Sequence, residues 1–114
     1  MGRVPRRSHT PKLVMEKRGN MREKDVEQAL VQEVKKVGGM CPKFVSPGTN
    51  GMPDRIVLFP GGRMGFIEVK APKQKPRPLQ VRQHQRLKAL GFPVFVLDDP
   101  EKIEEILAEI RRAE

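Results

Sequence analysis

From Glu23 onward, Val26, Leu30, Val34 and Val37 recur at three- and four-residue intervals, which predicts an amphipathic helix ending at Gly38-Gly39. Lys43 to Ser46 is a short strand candidate, followed by the turn formers of Pro47 to Pro53. The β-branched and aromatic run Arg55 to Phe59, a turn over Pro60 to Arg63, and a second run from Met64 to Val69 predict a hairpin. After the proline-containing stretch Ala71 to Pro78, Leu79, Gln83, Leu87 and Leu90 are spaced as in a helix that stops at Gly91. Pro93 to Leu97 is an apolar strand, and Pro100 precedes a helix with Ile103, Ile106, Leu107 and Ile110 on one side. The predicted order is α-β-β-β-α-β-α, an α/β class with a mixed β-sheet flanked by helices on both faces.

Within the apolar run Phe66-Ile67-Glu68-Val69-Lys70, two charged residues break the pattern. Side chains alternate along a strand, so Glu68 and Lys70 share one face, roughly 6–7 Å apart, while Ile67 and Val69 point the other way. Burying such charges is costly unless they are paired or the carboxylate holds a metal. Asp54, at the start of the partner strand, can bring a second carboxylate to Glu68, but the hairpin register decides whether it does. A two-residue loop of Gly61-Gly62 would set Arg55 opposite Glu68 and turn Asp54 to the other face. The expectation is therefore a three- or five-residue connection, or an Asp54 outside the regular ladder. Two carboxylates on one side suit Mg²⁺ or Mn²⁺, which take oxygen ligands and retain water. Lys70 would then orient that water or offset developing charge.

Composition narrows the setting. The chain has 114 residues, enough for one domain, and its five Phe with no Trp or Tyr leave little for base stacking. A net charge of +9 points to a polyanionic partner. Residues 1–22 carry seven Lys/Arg against one Glu and lack apolar periodicity, so they read as a basic disordered arm preceding a single domain over 23–114. Between Lys70 and Lys88 there are seven Lys/Arg and no acid; Lys73, Lys75, Arg77 and Arg82, beside the proposed site, are expected phosphate contacts. Cys41 is the only cysteine, which excludes an intramolecular disulfide. No apolar run approaches the ~20 residues of a membrane span, so a soluble, cytoplasmic protein with no membrane partner is expected. His84, alone on a polar helix face, reads as a surface residue.

Gly51-Met52-Pro53-Asp54-Arg55, then Glu68-Val69-Lys70-Ala71-Pro72, then Pro78-Leu79-Gln80 resembles the virus-type replication-repair nuclease (VRR-NUC) family of the PD-(D/E)XK superfamily, in its stand-alone phage or bacterial form. The resemblance runs from about Glu23 to Leu97. It implies a restriction-endonuclease-like core, with Asp54, Glu68 and the Val69 carbonyl as metal ligands and Lys70 as the catalytic lysine. It also implies that Gln80, in the first turn of the second helix, supports the site. A further glutamate belongs on the first helix, and Glu27 fits best, with Glu23 as runner-up. Small stand-alone members of the family act as homodimers on branched DNA, including four-way junctions and flaps. The expected function is thus a metal-dependent, structure-selective endonuclease of replication, recombination or repair; the rival readings are a non-catalytic DNA-binding protein of the same fold and a restriction-like duplex cutter.

Overall fold

The computed structural model describes residues 21–112; apart from Met21 and Arg22, the basic arm lies outside the described residues. Helix α1 spans Glu23–Lys36, strands β1 and β2 span Arg55–Phe59 and Arg63–Val69, helix α2 spans Pro78–Ala89, and strand β3 spans Val94–Leu97. A 3-10 turn at Pro100–Lys102 leads into helix α3, Ile103–Arg112. The sheet order is β1-β2-β3, with β2 central, antiparallel to β1 and parallel to β3. A parallel pair requires a crossover, and α2 supplies it. The mixed sheet flanked by helices agrees with the fold class the sequence predicted.

Alternation along the strands separates two faces. Val57, Phe59, Ile67, Val69 and Leu97 point to one side, where Val26, Leu30 and Val34 of α1 and Ile103, Ile106, Leu107 and Ile110 of α3 complete the apolar core. Met21 belongs to this core, so the packed domain includes the residues immediately before α1. Arg22 occupies the N-cap, its backbone N–H donating to Asp25 Oδ2 at 2.9 Å. The opposite face carries Phe66, Glu68 and Val94, and there α2 turns Gln80 and His84 inward.

The expected strand at Lys43–Ser46 is reduced to two isolated bridges, Met40↔Leu58 and Lys43↔Arg55. Both bridges share one antiparallel register, and Ile56 N–H donates to the Pro42 carbonyl between them. Pro42 has no N–H to return that bond, so the ladder is interrupted at its middle. The segment still lies along the outer edge of β1, and Phe44 N–H donates to the Asp54 carbonyl at 2.8 Å.

Candidate active site

The hairpin sets the site. Phe59 pairs with Arg63, leaving Pro60, Gly61 and Gly62 as a three-residue connection, in which both glycines take positive φ, 86° and 77°. Arg55 consequently pairs with Ile67, and the same register carried one step further puts Asp54 opposite Glu68. Residues opposite each other in an antiparallel pair share a face, so the two carboxylates do as well. The odd connection expected from the chemistry is the one observed.

Asp54 lies at the point where the regular ladder ends. Val69 N–H donates to Asp54 Oδ2 at 2.9 Å, so the carboxylate takes a place that a β1 carbonyl would otherwise fill. A strand residue's N–H and C=O lie on the same edge, which turns the Val69 carbonyl toward Asp54 too.

Glu68 is 1% exposed and held from three directions. Its Oε2 accepts from Gln80 Nε2 at 2.8 Å and lies 3.3 Å from Lys70 Nζ. Gln80 Oε1 meanwhile accepts the backbone N–H of Arg77 at 2.8 Å. Only one orientation of the amide satisfies both an N–H donor and a carboxylate acceptor, so capping α2 also aims the Gln80 N–H group at Glu68. On the third side is His84, whose Nε2 is 3.6 Å from Glu68 Oε1; neither atom has a hydrogen-bond partner. The sequence pattern placed His84 at the surface, whereas it is 5% exposed. Its position four residues after Gln80, on the same helix face, was the available signal.

Burial and the charge of Asp54 push the Glu68 carboxyl up to about 7, against the lowering effect of Lys70. Burial likewise depresses His84, with Lys88 adding to the effect. Glu23, at the start of α1, is raised by burial and then by Asp54, and the field of Lys70 reaches it as well. Glu27 is placed differently: its Oε2 accepts from Arg55 Nε at 2.8 Å, and Arg55 Nη1 donates to the Cys41 carbonyl at 2.6 Å. Glu27 thus ties α1 to β1 and to the edge segment, and Glu23 is the helix carboxylate coupled to Asp54 and Lys70. Both line a shallow open cleft of about 270 Å³ with Lys43, Phe44, Val45 and Asp54.

Lys73, Lys75, Arg77 and Arg82 are all exposed, on the segment leading into α2 and on its first turns. Among the described residues no three His, Cys, Asp or Glu side chains converge as a metal cage, and no helix is long and apolar enough to cross a membrane. A two-carboxylate set fits a hard divalent cation that keeps several waters rather than zinc. Asp54 and Glu68 repel each other across the hairpin, and Lys70, 3.3 Å from Glu68 Oε2, offsets part of that repulsion.

Comparison with known proteins places the chain in a family. A solved structure described as a VRR_NUC domain superposes with a TM-score of 0.70 and 30% identity, covering 75% of this chain and 94% of its own. The chain also shares 55% identity over 78 residues with the protein named "Putative nuclease p44" from Acyrthosiphon pisum secondary endosymbiont phage 1. That match spans 68% of this chain and 84% of the phage protein. The chain belongs to the VRR-NUC nuclease family. No family model matches the sequence, so membership rests on the relative and the superposed structure. In this VRR-NUC chain Glu68 and Lys70 lie on the strand face they share with Asp54.

Proposed function

We propose that the protein is an endonuclease that uses Mg²⁺ or Mn²⁺ to hydrolyse phosphodiester bonds in branched DNA, four-way junctions or flaps, during replication, recombination or repair. The observation that carries the reading is the hairpin register that brings Asp54 opposite Glu68, with Lys70 on the same face. Asp54, Glu68 and the Val69 carbonyl would hold the cation, and Glu23, on the same cleft as Asp54, would bind one of its waters. The cation, when bound, lowers the pKa of a coordinated water and neutralises charge on the phosphate. Lys70 orients the attacking water and stabilises the developing negative charge. Gln80 fixes the carboxylate of Glu68, and Glu27 with Arg55 fixes the strand that carries Asp54.

The basic run from Lys73 to Arg82 would hold the phosphates flanking the scissile bond. Replacing Lys73, Lys75, Arg77 and Arg82 together by Ala is expected to weaken DNA binding about equally for all sequences. The logarithmic salt dependence of binding should become shallower by nearly one for each phosphate that is no longer neutralised. An unchanged salt slope in a binding titration would remove these residues from the interface.

The preference for branched DNA and a homodimeric assembly in the cytoplasm of a bacterial or phage-infected cell are supported by the family resemblance. They are tested together by offering four-way junctions, flaps, splayed arms and linear duplex with each metal, alongside size measurement with and without DNA. Branched substrates should be cut in preference to linear duplex. Binding without cleavage on every substrate would favour a non-catalytic DNA-binding protein, and equal cleavage of linear duplex would end the claim of structure selectivity.

A further inference from the structure

The carboxylate of Glu68 is held unequally. Oε2 has both Gln80 and Lys70, while Oε1 is buried without a partner and faces the equally unpartnered Nε2 of His84. At 3.6 Å the two atoms are too far apart for a hydrogen bond, which for N–H to oxygen lies near ~2.9 Å. Each atom left buried and unpaired carries a desolvation cost, so a slight rotation that pairs them satisfies two groups at once.

Gln80 and His84 are one helical turn apart, and α2 is tied to the site through Gln80 Nε2, which donates to Glu68 Oε2 at 2.8 Å. We infer that His84 is a positioning residue for Glu68: its Nε2–H closes a hydrogen bond on Oε1, so that one helix grips both oxygens of the carboxylate. With both oxygens anchored, the carboxylate is held in one rotamer on the strand face it shares with Asp54. The inference rests on the reading of Glu68 as a metal ligand. A ligand carboxylate fixed by outer partners binds metal better than one free to rotate, and loss of such a partner typically lowers metal affinity or activity about 10–100-fold.

Two measurements on the full chain decide it. Nitrogen-15 NMR of the imidazoles in metal-free protein at mildly alkaline pH, where Glu68 is ionised, should show His84 protonated at Nε2, with the signal assigned by its loss in His84→Gln and displaced in Glu68→Gln. An Nδ1-protonated His84 with a bare Nε2 overturns the inference, whatever the protein does to DNA. In cleavage assays, His84→Leu should lower kcat or Mn²⁺ affinity about 10–100-fold while KM for DNA stays the same, because His84 is buried away from substrate. His84→Gln, which restores an N–H donor at similar reach, should recover most of the loss. A leucine variant that melts like wild type and keeps its kcat and Mn²⁺ affinity would show that His84 merely fills space. If wild-type protein neither binds Mn²⁺ nor cuts, the nuclease reading fails on its own, and the tautomer still reports whether the hydrogen bond exists.

Discussion

Glu68→Gln is expected to give a folded protein that cuts DNA at least about 10³-fold more slowly, a loss of roughly 4 kcal/mol of transition-state stabilisation. The change is nearly isosteric. The new amide oxygen can still accept from Gln80 and Lys70, and its N–H group faces His84 Nε2, which pairs with it by shifting its proton to Nδ1, so the packing of a 1%-exposed side chain is kept. What disappears is the negative charge that would hold a divalent cation with Asp54. The same substitution removes the repulsion between the two carboxylates, so the variant should melt no lower than wild type near neutral pH without metal. Calorimetric Mn²⁺ titration, thermal melting and junction cleavage on one preparation separate the effects. Cleavage at the wild-type rate by the glutamine variant would exclude Glu68 from the chemistry.

Much of this site was legible because its chemistry constrained the backbone. Asp54 and Glu68 can cooperate only if an odd number of residues joins β1 and β2, and Pro60-Gly61-Gly62 provides it. A pattern of hydrophobic residues alone could not have chosen that loop over the two-residue alternative. The edge segment was misread for the converse reason. Lys43 to Ser46 looks like a strand by composition, but the missing N–H of Pro42 leaves only bridges at Met40 and Lys43.

Helix α2 shows where hydrophobic periodicity misleads. Leu79 and Leu90 suggested the buried side, yet they are 39% and 73% exposed, while Gln80 and His84 are buried. Shifting the inward face by one residue rotates it by about 100°. The helix turns polar groups inward because what it covers is a carboxylate rather than apolar core, and a rule that buries only hydrophobic residues has no means to see that. Glu23 and Glu27 differ for a related reason. One turn apart, they have the same spacing to the apolar stripe, and only the position of Arg55 distinguishes them: it takes Glu27 as its ion-pair partner.

The strain stored at Glu68 should be readable as a pH-dependent loss of stability in the metal-free protein. Its carboxyl is raised from 4.5 to about 7, so across that interval the folded state holds a proton that the unfolded chain has released. Stability therefore decreases as pH rises from about 4.5 to about 7, by up to ~3 kcal/mol at ~1.4 kcal/mol per pKa unit. His84, depressed by burial, acts in the opposite sense below its ordinary value, because there the unfolded chain binds the extra proton. Comparing wild type with Glu68→Gln in urea at several pH values isolates the carboxylate: the variant's stability relative to wild type should rise through this interval and then level off. Added Mn²⁺ should stabilise wild type increasingly toward the top of the interval, where proton and cation no longer compete, and should leave the glutamine variant nearly unchanged. A stability difference that is flat from pH 4.5 to 7, or equal stabilisation of both proteins by Mn²⁺, would mean that Glu68 bears neither the strain nor the metal.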